Sequence, residues 1–475
     1  MSKGQPHILV FPFPAQGHLL PLLDLTHQLS LRNLTITILV TPKNLSSLNQ
    51  LLSLHPNNIQ TLILPFPPHP NLPPGVENAR DVGNHGHIPI INALSNLQEH
   101  IIQWFHSHPN PPIAIVSDFF LGWTLRLAHR INIPRISFFS SGAFSCSLLQ
   151  YCWNNLNDVR GLPVVCFEDF PNSPSFKEQH LPTIFRRYVM GGNDPELQMV
   201  KDGMIANIES WGGIFNSFDE LDGQYFDYLR TTIGLRRVYG VGPLSLIGVS
   251  ESSKRVDPNI DSGSGSEILG WLDGCSDGSV LYVCFGSQKV LSRKQMEALA
   301  SGLEQSKTKF VWVVKTGTDQ EVENGYGVVP DGFEEKVAGR GLVVKKWAPQ
   351  VQILNHRAVS GFLSHCGWNS TLEGIVAGVL ILAWPMEAEQ FVNVRLLVED
   401  LGMAVKVCEG GDGVPDSAEL GKVIAETMSL DAPQRLKVKE VRDKAFAAVN
   451  EGGSSCTGLD QLVRELHQLK NYNKQ

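Results

Sequence analysis

No stretch of this sequence approaches the roughly 20 consecutive apolar residues that a membrane-spanning helix needs. There is no run of five or more Lys or Arg, and the formal net charge is −8 with a pI near 6.0. A nucleic-acid surface is therefore not indicated, and doublets such as Arg186-Arg187 and Lys345-Lys346 read as solvated faces. The eight cysteines (146, 152, 166, 275, 284, 366, 408 and 456) form no Cys-x-x-Cys pair, and several lie inside apolar runs. They suit reduced thiols acting as small hydrophobes, not a disulfide framework or a zinc site. Asp-x-Asp is missing, so a metal-held diphosphate is not expected, and Gly-x-Gly-x-x-Gly is missing, which weakens a dinucleotide site. The start, Met-Ser-Lys-Gly-Gln-Pro-His, leads into a short apolar run broken by Pro12 and Pro14, unlike a signal peptide. The expectation is a cytoplasmic, monomeric protein without cofactor or metal.

What is present is globular. The chain is 42% hydrophobic and 18% charged over 475 residues, too long for one ordinary core, so two domains are expected. In the first half, Ile8 to Phe13, Leu34 to Val40, Ile113 to Ser117, Arg135 to Ser140 and Met204 to Ile208 read as buried strands. Helical periodicity lies between them, as at Leu19 to Leu29 and Leu121 to His129. A polar stretch rich in Ser, Gly, Asp and Pro follows from Val249 to Ser266. Strand-like runs resume at Val280 to Phe285, Phe310 to Val314, Leu342 to Val344, Gly361 to Leu363, Ile381 to Trp384 and Ala404 to Val407. Ser292 and Gln295 form a capping box before a helix carrying Met296, Leu299, Ala300 and Leu303 on one face. Strands alternating with helices imply parallel sheets. The fold class is thus α/β, with two doubly wound Rossmann-like domains facing a cleft: residues 1–245, a connection at 246–266, and residues 267–455. Leu459, Leu462, Val463, Leu466 and Leu469 would line one face of a last helix over 456–475 that returns to the first domain.

Ligands of open parallel sheets sit beyond the carboxyl ends of the strands. In the second half, strand Gly361 to Ser364 feeds the turn His365-Cys-Gly-Trp-Asn-Ser, and a helix is expected from Thr371 onward. Such a junction offers backbone N–H groups and small donors to an anion at a helix N-terminus. In isolation, Asn369 and Ser370 could equally cap the helix. In the first half, the loop Phe13-Pro-Ala-Gln-Gly-His18 follows the first strand. Asp118 closes another strand ahead of Phe119-Phe120, where a carboxylate could also be a cap.

The order of residues decides between these readings. Trp-Ala-Pro-Gln from Trp347, then His-Cys-Gly-Trp-Asn-Ser, and Trp-Pro-Met-Glu-Ala-Glu-Gln ending at Gln390 closely resemble the signature of the plant secondary-product glycosyltransferases. These are UDP-sugar-dependent family 1 enzymes of GT-B fold. The resemblance implies that Trp347 stacks on uracil with Ala348 pairing to it through its backbone. It implies that Gln350 and Glu373 hold the ribose, and that His365, Asn369, Ser370 and Ser287 hold the phosphates. Trp368, Glu389 and Gln390 would contact the sugar. The one departure is Gly378-Val379-Leu380 where the family has Gly-Val-Pro.

The family's first loop, Pro-x-x-Gly-His, implies that His18 is the general base and that Asp118 orients it. The activity implied is inverting transfer, most simply from UDP-glucose, since the ending Glu389-Gln390 usually accompanies that donor. UDP-xylose and UDP-rhamnose are the alternatives. The acceptor, expected to be a small phenolic such as a flavonoid or hydroxybenzoate, would meet Phe119, Phe120, Phe144 and Phe185. A UDP-sugar-binding protein without turnover is the reading of another class, and the presence of His18 and Asp118 argues against it.

Overall fold

The computed structural model describes residues 5–192, 194–248, 262–429 and 431–472. They fall into two compact units, one of residues 1–253 with 445–475 and one of residues 254–444.

The first unit is built on a parallel sheet whose strands are short and apolar enough to be covered on both faces. In chain order they are β1 (His7–Phe11), β2 (Thr35–Val40), β3 (Ile59–Ile63), β4 (Ala114–Asp118) and β5 (Arg135–Phe139). A small antiparallel pair, β6 (Val164–Cys166) and β7 (Ser175–Lys177), stands apart; β8 (Gly212–Phe215) and β9 (Val238–Gly240) complete the main sheet. Its order is β3-β2-β1-β4-β5-β8-β9. The order reverses direction between β1 and β4, which pair in register from Ile8↔Ala114 to Phe11↔Ser117. The core under this sheet takes Leu22, Leu25 and Leu29 from helix Gln16–Leu31. It also takes Leu459, Leu462 and Leu466 from the last helix, Ser454–Tyr472.

The second unit repeats the plan with β10 (Val280–Cys284), β11 (Lys309–Val313), β12 (Gly341–Val344), β13 (Val359–Ser364), β14 (Leu380–Ala383) and β15 (Ala404–Lys406). The order is β12-β11-β10-β13-β14-β15, with the reversal between β10 and β13. Alternate residues of β10 enter separate cores: Leu281 and Val283 pack with Leu299, Leu303 and Trp312, whereas Val280 and Tyr282 pack with Ile268, Leu272 and Ile353. Period-two alternation between two apolar layers is what a strand buried on both faces requires. The capping box of Ser292 and Gln295 is formed at the start of helix Arg293–Ser306.

Two readings of the sequence are corrected. Met204 to Ile208 is not a strand but part of helix Pro195–Glu209, started by Asp194, whose carboxylate accepts from the Glu196 N–H at 2.8 Å. The strand comes later, at β8, with two glycines that give no apolar signal: a Cβ on Gly213 would lie 2.8 Å from the Leu235 side chain. Of the polar stretch from 249 to 266, residues 249–261 lie outside the described residues, and 262–266 already belong to helix Ser262–Asp273. No helix among the described residues is long and apolar enough to cross a membrane.

Candidate active site

Both sheets place their special residues where the strand order reverses, the position at which open α/β sheets bind ligands. In the first unit, β1 runs into the loop of Pro12 and Pro14, and His18 stands in the first turn of helix Gln16–Leu31. Asp118 ends the adjacent β4. The His18 Nδ1 lies 2.9 Å from Asp118 Oδ2 and 3.2 Å from Ser140 Oγ. The Asp118 side chain is fully buried, and that of His18 keeps 17% of its surface. A carboxylate opposite Nδ1 favours the tautomer protonated there, which leaves the lone pair on Nε2. The other oxygen, Asp118 Oδ1, accepts from the Phe120 N–H at 2.9 Å. Cap and histidine partner are thus both roles of one carboxylate, an oxygen for each.

Aromatic rings enclose the imidazole. Phe13, Phe119 and Phe120 have ring centroids 5.3, 5.4 and 4.7 Å from it. Phe144 and Phe185, expected beside them, are core residues. Phe144 is 1% exposed and stacks on Tyr225 at 4.3 Å; Phe185 is 2% exposed and packs against Trp153 at 5.0 Å. Phe185 stands in helix Thr183–Gly191.

Three residues near the pair carry no motif signal. Ser140 follows β5 and reaches His18. His87 opens helix His87–Ser95 and touches both Phe13 and Phe120, each at 5.7 Å. Burial pushes its imidazole down to about 3, helped by the charges of His18 and Arg187, so it stays neutral. Arg135, at the start of β5, is buried behind Asp118.

In the second unit, Gly286 and Ser287 follow β10 and His365 follows β13. The helix that comes next is Trp368–Ala377, three residues earlier than Thr371. Its N-cap is Gly367, and no side chain caps it. Asn369 and Ser370 therefore sit in the first turn instead of closing it, and the positive end of the helix is suited to an anion. Among the described residues the buried His365 Nδ1 has no hydrogen-bond partner, and burial pushes the ring down to about 4. Space around it depends on two glycines: a Cβ on Gly286 or on Gly367 would lie 2.8 Å from its ring atoms. Lys315 holds the Ser287 carbonyl through its ammonium group.

Gln350 and Glu373 are brought together, the Gln350 amide donating to Glu373 Oε2 at 2.8 Å and to Ser370 Oγ at 3.2 Å. The Tyr282 hydroxyl donates to Gln350 Oε1 at 3.3 Å, a support that its place in an apolar strand does not advertise. Trp347 and Ala348 follow β12, Trp347 half-buried and Ala348 buried. Trp368 is buried in its helix. Glu389 precedes helix Gln390–Arg395, and Gln390 Oε1 accepts from the N–H groups of Met386 and Glu387 at 2.9 and 3.0 Å. That leaves the Gln390 amide NH2 for other partners. Among the described residues, no group of three or more His, Cys, Asp or Glu side chains could hold a metal ion.

The profile described as "Glycosyltransferase, N-terminal domain" matches residues 6–246, and "UDP-glucoronosyl and UDP-glucosyl transferase" matches residues 262–411. UDP-glycosyltransferase 89A2 of Arabidopsis thaliana is 53% identical over 98% of this chain and 97% of its own length. Flavonol 3-O-glucosyltransferase UGT89B1 of the same plant is 44% identical over 98% of this chain and 96% of its own. The solved structure of Arabidopsis thaliana UGT89C1 with UDP-L-rhamnose superimposes with a TM-score of 0.81 at 37% identity, covering 98% of this chain and 99% of that one. With two Rossmann-like sheets, a histidine–aspartate pair at one switch point and an uncapped helix at the other, this chain belongs to the plant family 1 UDP-dependent glycosyltransferases of GT-B fold.

Proposed function

We propose that this UDP-glycosyltransferase moves glucose from UDP-glucose to a hydroxyl of a small phenolic, a flavonoid or hydroxybenzoate, with inversion at the anomeric carbon. The observation that carries this reading is the 2.9 Å contact between His18 Nδ1 and the buried Asp118 carboxylate. His18 Nε2 takes the hydroxyl proton as the acceptor oxygen attacks the anomeric carbon. The bond from that carbon to the UDP oxygen breaks, and UDP leaves. Asp118 stabilises the imidazolium that forms. The first turn of helix Trp368–Ala377, with His365, Asn369, Ser370 and Ser287, steadies the departing diphosphate as preorganised electrostatics. Trp347 and Ala348 take the uracil, and Gln350 with Glu373 the ribose. Trp368, Glu389 and Gln390 contact the hexose. Phe119 and Phe120, beside the base, make the acceptor side apolar and suited to a flat ring.

The donor assignment rests on Glu389-Gln390. A second donor, UDP-rhamnose, is favoured by one comparison: a flavonol 7-O-rhamnosyltransferase of Arabidopsis thaliana is 39% identical over 98% of this chain. The deciding experiment incubates the protein with UDP-glucose, UDP-rhamnose and UDP-xylose against a phenolic library, reading UDP release and product mass. Glucosides of phenols are expected. Turnover with UDP-rhamnose or UDP-xylose well above UDP-glucose overturns the donor, and UDP-sugar binding without product overturns the enzyme reading.

A further inference from the structure

Behind the histidine–aspartate pair lies a charge for which the reaction has so far found no use. Arg135 is 1% exposed, yet among the described residues every group that receives its hydrogen bonds is neutral. Its Nε donates to Ser117 Oγ and Thr124 Oγ1, both at 2.9 Å. Its Nη1 donates to Ser137 Oγ at 2.8 Å, Asn207 Oδ1 at 2.9 Å and Ser210 Oγ at 2.8 Å. Its Nη2 reaches the main-chain carbonyl of Asp118 at 3.3 Å. Hydroxyls and an amide solvate the cation without neutralising it. A buried charge is costly unless an opposite charge shares its surroundings. Among the described residues, the acid whose charge acts on Arg135 is Asp118.

Asp118 has the complementary problem. Its carboxylate is fully buried and, while His18 is neutral, receives only neutral donors from His18 and Phe120. We propose that Arg135 is a positioning residue of the His18–Asp118 pair: it fixes the end of β4 through the Asp118 carbonyl and supplies the counter-charge that keeps the pair in its base-competent form, a neutral imidazole beside an ionised carboxylate. The proposal rests on the assignment of His18 as the base. Its sign does not depend on which partner binds the first proton. The competent pair carries one negative charge, so removing a nearby positive charge favours protonation of the pair as a whole.

The other ionisable groups facing this region are His87, already neutral at working pH, and Arg187 beyond it. Neither is altered by the variants that test the idea. Arg135→Met removes the charge and Arg135→Lys keeps it. Asn207→Asp neutralises it in place, because the new carboxylate would stand where Asn207 Oδ1 now accepts from Arg135. Asn207→Ala controls for the lost bond from Asn207 Nδ2 to the Phe119 carbonyl.

Two readouts are taken: the acid limb of kcat/KM for sugar transfer, and the midpoint of the His18 imidazole titration by histidine-selective NMR. Arg135→Met and Asn207→Asp are expected to move both upward by about one pH unit, the order expected of a unit charge several ångströms away. Arg135→Lys and Asn207→Ala are expected to leave them in place. If Arg135→Met does not fold, Asn207→Asp decides. Unmoved midpoints in Asn207→Asp, or an equal shift in Arg135→Lys, overturn the proposal. Should the wild-type protein transfer no sugar, the assignment of function fails, while the NMR midpoints still decide the role of Arg135.

Discussion

A histidine whose Nδ1 proton points at a buried carboxylate has one nitrogen left for chemistry. His18→Ala should abolish sugar transfer while UDP still binds, measured by product formation and by calorimetry with UDP. Asp118→Asn should lower kcat by about 10²–10⁴-fold, because an amide can donate to Nδ1 and turn the reactive lone pair away. Donor affinity should change far less, and an unchanged kcat in either variant sinks the assignment. At this scale the sequence is informative where a polar residue is tied to a strand end. His18 follows β1 and Asp118 ends β4, and the family resemblance names both. Arg135 escapes such reading because a charged residue opening a strand looks solvent-facing until six neutral oxygens are folded around it. Phe144 and Phe185 are hard to place for a related reason. A phenylalanine reads as apolar, but whether it faces ligand or core depends on neighbours such as Tyr225 and Trp153, distant in sequence.

Between residues and whole units, the decisive element is the junction from β13 into helix Trp368–Ala377. Its N-cap is Gly367, which has no side chain to cap with, and among the described residues the Nδ1 of the neighbouring His365 finds no hydrogen-bond partner. Gly286 and Gly367 keep that imidazole where it is. Gly286 also has φ +77, in the left-handed region where a Cβ is strained. Gly286→Ala should therefore weaken UDP binding about tenfold by displacing His365, corresponding to about 1.4 kcal/mol. Unchanged UDP affinity by calorimetry would show that His365 does not need its present position. Element types were mostly legible here: strands β10 to β15 stand out as apolar runs, and Ser292 with Gln295 announces its helix. The misread segment at Met204–Ile208 shows the limit. Its apolar run suggested a strand, but the signal that mattered was Asp194-Pro195, a cap and a first-turn proline, nine residues upstream. The true strand β8 offers two glycines chosen by close packing, and no periodicity reveals that.

On the scale of the molecule, the first unit is closed by residues from the far end of the chain. Leu459, Leu462 and Leu466 are fully buried in its core, and Arg237 pairs with Glu465 at 2.9 Å. Leu462→Ala should cost about 2–5 kcal/mol of that unit's stability, seen as a lowered midpoint in denaturant. A surface-like loss below about 0.5 kcal/mol would contradict the burial. The same unit carries a built-in sensitivity to acid at its first strand. His7 is 1% exposed; its Nδ1 meets the Asn110 carbonyl at 2.6 Å and its Nε2 the Thr37 hydroxyl at 2.8 Å. A neutral ring satisfies both, donating to the carbonyl and accepting from the hydroxyl. Burial pushes its pKa from 6.5 to about 4, against the opposing pull of the Asn110 carbonyl and with added repulsion from His108. Between those values the unfolded chain binds a proton that the folded one refuses, so stability must rise with pH across that window. The contribution is complete above about pH 6.5 and is lost as pH falls toward 4, by about 3 kcal/mol in all. His7→Gln cannot titrate. It should therefore be less stable than the wild type at pH 7 yet show a shallower decline between pH 6.5 and 4.5, by up to one proton in the linkage slope. Denaturant melts at several pH values measure that slope, and parallel declines in the two proteins would mean that His7 is protonated in the fold.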